Sequence, residues 1–192
     1  MNGMTLKNCN AGFTMFELIV VIAIVGIIAA VGTPTFRYIT ASNRIASEVN
    51  ALLGDMQFAR SLAVKEGQSV TVCTSTNGTS CAGARTWQGG WIVFMDPNVN
   101  QTPASAAAIL RVQPAFTGSD TFTGGGSPVF TYATFNRMGY APTGQTAVIN
   151  ISLHDSTNNA PWIRCLAVNP IGSVLTEKNG EHLFGATATS CS

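Results

Sequence analysis

Apolar and polar positions divide the chain into three stretches of different rhythm. Met1 to Gly12 is short and polar, with Lys7 its one charge. From Phe13 to Val31 the residues are apolar almost without a break, and the nineteen positions contain a single charge, Glu17. At about 1.5 Å per residue, such a helix covers about 28 Å, close to the hydrocarbon thickness of a bilayer, so residues 13–33 are predicted to span a membrane. Beyond Pro34 the apolar positions thin to a stripe, Ile45, Val49, Leu52, Leu53, Met56, Ala59 and Leu62, mostly three or four apart. That spacing predicts an amphipathic helix over 34–66 with one face on a core. Gly67 is a natural C-terminal stop, and Lys65 suits the negative end of the helix dipole. Pro34 removes a backbone donor and is expected to kink or locally melt the turn before it.

After Gly67 the period changes from 3.6 to short apolar runs separated by Gly, Pro, Asn and Ser clusters. Strands are expected at Ser69–Thr74, Trp91–Met95, Ile109–Val112, Val129–Thr134, Ala147–Leu153, Trp162–Val168 and Ser173–Thr176, forming antiparallel sheet. Asn98–Ala108 and Thr117–Pro128 read as long polar or Gly-rich loops. The fold class is therefore α+β, with one head domain over 67–192 and no internal repeat.

A cleaved secretory signal ending near Ala30-Val31-Gly32 would account for the apolar run alone. Two features oppose it. The helical stripe continues past that point, and a carboxylate inside a spanning segment costs about 2.5–3.5 kcal/mol, which a disposable signal gains nothing by keeping. Glu17 thus belongs to something retained.

Composition narrows the function. Charged residues are 10% of the chain, against about 25% in ordinary soluble domains. Without Lys7 the remaining nine Lys and Arg match nine Asp and Glu, so a surface without electrostatic bias is expected. No basic run appears, and nucleic acid has no compositional support as a partner. Five cysteines become four once Cys9 is removed with residues 1–12. Cys73 and Cys81 bracket a polar Asn-Gly turn, while Cys165 sits in an apolar strand and Cys191 next to the C-terminus. Of three possible pairings, Cys73–Cys81 and Cys165–Cys191 is favoured, the first closing a short turn and the second tying down a tail. With no CxxC pair, and with His154 and His182 out of step with the thiols, no metal or other cofactor is expected.

The run Gly12-Phe13-Thr14-Met15-Phe16-Glu17-Leu18, followed by the apolar stretch and Pro34, resembles the class III signal of type IV pilins and pseudopilins. The resemblance implies leader cleavage between Gly12 and Phe13 by a prepilin peptidase, N-methylation of Phe13, and a role for Glu17 in assembly. Met15 and Phe16 depart from the usual residues but keep them apolar. Further along, Ala59-Arg60-Ser61-Leu62-Ala63, Val70-Thr-Val-Cys73, Trp87-Gln-Gly-Gly-Trp91-Ile-Val-Phe-Met-Asp96, Ile109-Leu-Arg111, Phe135-Asn-Arg-Met-Gly139 and Arg164-Cys-Leu-Ala-Val168 before Gly172 are similar to the GspH/FimT branch of minor pilins and pseudopilins. This implies a pilin-like fold: a long N-terminal helix, its first half membrane-spanning, packed on a head of two small antiparallel sheets. In DNA-uptake members a late Gly-Arg-x-Arg motif supplies phosphate-binding arginines. Here Ser173, Val174 and Leu175 follow Gly172, so both arginines are missing.

The function implied is a structural subunit of the type IV pilus: a minor pilin of the tip or priming complex, supporting assembly and twitching motility. Its partners would be other minor pilins and the major pilin through the N-terminal helices, the prepilin peptidase and the inner-membrane assembly platform. Before assembly it would cross the inner membrane once with its head in the periplasm, and afterwards lie in the surface fibre. A GspH-like pseudopilin of a type II secretion system and a DNA-binding minor pilin are the alternatives. Catalysis finds little footing. In His154-Asp155-Ser156 adjacent side chains diverge, as in an exposed turn. Gly124-Gly125-Gly126 lacks the strand-to-helix setting of a phosphate loop and reads as a linker. Trp87, Trp91 and Trp162 read as core aromatics rather than ligand platforms, while the two glycines near Trp87 leave an exposed position open to it.

Overall fold

The computed structural model describes residues 12–125, 129–141, 149–181 and 191, with the backbone alone at 32–35, 37, 149 and 150. The chain forms two compact units, Met1–Thr40 and Ala41–Ser192. Helix α1, Met15–Glu66, runs through both and is unbroken at Pro34, so the backbone carries no melted turn there.

From Met15 to Val31 α1 exposes apolar side chains, with Glu17 its one charge. Among the described residues no helix is long and apolar enough to cross a membrane.

In the second unit the remainder of α1 buries the predicted stripe. Ile45, Val49, Leu52, Met56, Ala59 and Ala63 are buried, with Leu53 and Leu62 packed at the margin. They meet a single core drawn from both sheets. The first sheet has strand order β3-β2-β1-β5, from Ile109–Gln113, Trp91–Met95, Val70–Thr74 and Tyr132–Phe135. The second has order β4-β6-β7-β8, from Thr121–Gly124, Ile149–His154, Arg164–Val168 and Val174–Lys178. All pairings are antiparallel. β1, read Val-Thr-Val-Cys-Thr, is buried on both faces: Val70 and Val72 join the core with α1, while Thr71 turns to a polar set behind it. There the Thr71 hydroxyl donates to Asp96 at 2.8 Å and lies 2.7 Å from that of Thr134. Asp96 also accepts the backbone N–H groups of Asn100 and Gln101, which fixes the start of the Asn98–Ala108 loop.

One expectation needs correcting. The Thr117–Pro128 segment is not all loop, since Thr121–Gly124 forms edge strand β4 against β6. Gly124 is required there because an added Cβ would sit 2.1 Å from the Phe130 carbonyl oxygen. Trp87 takes the core position of its two options: it is fully buried, stacks on Phe130 at 5.4 Å and donates its indole N–H to the Phe130 carbonyl at 3.2 Å. Gly124 lies against the ring, where an added Cβ would sit 3.2 Å from the indole nitrogen. Strand ends also move: Val129–Thr134 becomes Tyr132–Phe135, and Ala160–Trp162 forms a 3-10 turn before β7.

Candidate functional site

The N-terminal segment begins in non-helical backbone at Gly12, Phe13 and Thr14. Thr14 ends that stretch by capping α1. Its hydroxyl accepts the Glu17 N–H at 3.2 Å, and its carbonyl accepts the Leu18 N–H at 3.2 Å. Thr14-x-x-Glu17 is the spacing of a capping box, a signal the sequence reading passed over. Glu17 falls in the first turn, where a carboxylate complements the helix N-terminus. The Gly12–Phe13 peptide bond therefore lies in non-helical backbone just ahead of the cap. From Phe13 to Val31 large apolar side chains stand exposed, Phe13 at 78% and Ile27 at 67% among them. A helix apolar all round needs lipid or other helices about it.

In the head, disulfides join Cys73 to Cys81 and Cys165 to Cys191. The first closes the loop carrying Asn77, whose side-chain oxygen accepts the N–H groups of Thr79 and Ser80. The second holds Cys191 in a small cluster with Ile163. The two bridges lie on different sheets and make no common centre. Among the described residues no group of His, Cys, Asp or Glu is placed to hold a metal ion.

His154, Asp155 and Ser156 begin a turn in which Asp155 accepts the Asn159 N–H, and His154 Nδ1 lies against Asn158. Burial alone would push the Asp155 carboxyl up, but hydrogen bonds from Thr157 and Asn159 and the Arg44 charge bring it below the usual range. The carboxylate caps a turn. His182 and Gly126 lie outside the described residues, as does the leader through position 11.

One ionic cluster escaped the sequence reading because its members are far apart in sequence. Arg44 on α1 grips the buried Asp120 carboxylate at 2.5 and 2.7 Å. Glu48, one turn on, faces the same carboxylate with its Oε2 buried and unpartnered. Burial first, and then the Asp120 charge, push the Glu48 carboxyl up to about 7 against the opposing pull of Arg44. The cluster joins α1 to β4.

The architecture, a helix followed by a two-sheet antiparallel head, and the N-terminal segment can now be set beside known proteins. The family model described as type II transport protein GspH matches residues 48–172, and that of the prokaryotic N-terminal methylation motif matches residues 7–33. The chain belongs to the GspH family. The methylation-motif match falls on the Gly12–Phe13 segment and the start of α1. Type IV major fimbrial protein FimA of Dichelobacter nodosus is 32% identical over 97 residues, which cover 44% of this chain and 62% of that protein. A second FimA of the same organism is 32% identical over 68 residues, 35% of this chain and 42% of its own. The chain thus spans less than two thirds of the curated relatives it matches. Crystal structures of the type IV minor pilin FimU of Pseudomonas aeruginosa superpose with TM-scores of 0.51 and 0.50 at 18% identity, covering 70% of this chain and 87% and 91% of theirs. That likeness carries the fold: a GspH-family member with a pilin-like head.

Proposed function

We propose that this GspH-family chain is a minor pilin of the type IV pilus, a subunit of the tip or priming complex that joins it to the major-pilin filament. The observation that carries the reading is the N-terminal run: Gly12-Phe13 in non-helical backbone, a Thr14 cap, and a helix whose large apolar side chains stand exposed. In this reading a prepilin peptidase cuts between Gly12 and Phe13, and Phe13 is N-methylated. The segment crosses the inner membrane once, with the head in the periplasm, before helices of sister subunits replace the lipid. The freed α-amine, with an ordinary pKa near 7.7–8.0, and Glu17 of a neighbour neutralise each other in the low-dielectric bundle, which sets axial register. Complementing its own helix end stabilises by only about 0.3–1 kcal/mol, less than the membrane cost of keeping the charge. Pro34 would set the bend of α1 inside the fibre.

Substituting Glu17→Ala is expected to leave a processed, membrane-inserted protein that is absent from sheared fibres. Mass spectrometry of the wild-type N-terminus should find methylated Phe13. An exported molecule beginning near Thr33 would end this reading.

The GspH match favours a second reading, the equivalent minor pseudopilin of a type II secretion system. Loss of a secreted enzyme from the medium on deletion of the chain, with surface fibres intact, would select it. Nucleic acid is not part of either reading, since no arginine follows Gly172 and the exposed cations Arg111, Arg137 and Lys178 lie on separate elements.

A further inference from the structure

The turn after β5 is unusually well fixed for a surface loop. Asn136 closes it: its side-chain oxygen accepts the N–H groups of Met138 and Tyr140 at 2.9 and 3.0 Å, and its carbonyl accepts the Gly139 N–H. From α1, Arg60 donates to the carbonyls of Gly139 at 3.0 Å and Ile171 at 3.3 Å. The Asn169–Ser173 turn presses in from the other side, so closely that a Cβ on Gly172 would lie 1.8 Å from the Gly139 oxygen.

On this rigid base Met138 is 64% exposed. It stands between two depressions, one of about 540 Å³ over Gln57, Ser61 and Val64, the other of about 440 Å³ over Gln68, Pro97 and Arg137. Val64, Tyr140 and Ile171 are also exposed and extend the apolar surface. A methionine adapts its shape to what it meets, and a preorganised loop loses little entropy on binding. The rim is cationic. Arg60 and Arg137 have no carboxylate partner among the described residues, and every Asp and Glu of the chain is described. Glu66, the acid at this end of α1, is paired with Lys65 at 3.3 Å.

We infer that the double groove around Met138 receives an acidic, apolar segment from the head of a different subunit of the filament, an apolar side chain seating beside Met138 and a carboxylate meeting Arg137. The inference rests on the filament reading above. A second copy of this chain is a poor occupant because most of its head acids are committed: Asp96, Asp120, Asp155 and Glu177 are buried, Asp55 is held by Arg111 and Glu66 by Lys65, which leaves Glu181 exposed.

The test places p-benzoylphenylalanine at position 138 of the full chain, in cells carrying the complete assembly machinery, and irradiates before the fibres are sheared. The expected adduct maps to a segment of another subunit with an Asp or Glu within a few residues. Adding Arg137→Glu should cut its yield about fivefold or more while both disulfides still form, and Arg137→Lys should restore much of it. With the chain present in fibres, no adduct, an adduct to lipid, to a second copy or to a segment without a carboxylate, or a yield indifferent to Arg137→Glu overturns the docking proposal alone. Absence of the unmodified chain from fibres removes the filament reading, and this inference with it.

Discussion

Glu48→Gln isolates the ionic cluster at the start of the head helix. In the fold, Glu48 shares the ground between α1 and β4 with a buried Asp120 carboxylate, which Arg44 neutralises only in part, and Asp155 draws on the same guanidinium. Protonated, Glu48 can donate to Asp120; ionised, it adds a second negative charge beside it. Its folded pKa of about 7 stands above the ordinary 4.5, so the penalty is absent below pH 4.5 and complete above pH 7. Stability contributed at this site is therefore lost as pH rises through that window. At about 1.36 kcal/mol per unit the full shift corresponds to about 3 kcal/mol, but a half-exposed carboxyl is screened, and about 1–1.5 kcal/mol is the reasonable size. Glutamine resembles the protonated acid in shape and keeps a donor for Asp120. The variant should match wild type at pH 5 and melt about 2–6 °C higher at pH 8. Circular dichroism melts of the purified full-length proteins across pH 4–9 read this directly, the variant-minus-wild-type difference cancelling every other titrating group. A difference that is constant with pH, or that grows toward acid, refutes the cluster as drawn.

Two further substitutions probe the packing that holds the head together. Gly172→Ala forces a Cβ into the Gly139 carbonyl at a φ of +79°, whereas Gly67→Ala at φ +65° meets open space. The first should cost more than about 3 kcal/mol and the second about 1–2 kcal/mol, so equal melting temperatures would contradict the interlocked turns. Trp87→Phe removes the donor to the Phe130 carbonyl and leaves a cavity between the sheets, an expected loss of about 2–4 kcal/mol by denaturant titration, whereas an exposed Trp87 would show almost none.

What could be read in the sequence follows the range of the forces involved. The apolar run from Phe13, the stripe from Ile45 to Leu62 and the β-branched runs Val70–Thr74 and Trp91–Met95 are local patterns, and each appears as the expected element. The glycines misled, because glycine marks both free chain and close approach. Gly124 ends a strand pressed against Phe130 and the indole of the buried Trp87, and Gly90 lies against the backbone of Gln113. Arg44, Glu48 and Asp120 were invisible as a cluster because an ion pair spanning 76 positions leaves no periodic trace. Thr14 was legible and missed: the Thr-x-x-Glu spacing stands in plain sequence, overshadowed by what the same residues suggest about processing.

Charge shows the gap between counting and placing. From Gly67 onward five bases match five acids, which predicts a neutral surface. The fold separates them. Asp96 anchors a loop, Asp120 holds Arg44, Asp155 caps a turn and Glu177 is buried, leaving Glu181 as the exposed acid of the five. Arg85, Arg111, Arg137 and Lys178 all face solvent. Short carboxylates can satisfy several backbone donors at once inside a small domain, while the long stems of Lys and Arg favour carrying their charge outward. Among the described residues from Gly67 onward the exposed cations thus outnumber the exposed acid, although Arg111 is held by Asp55 of α1, and no basic run in the composition reveals it.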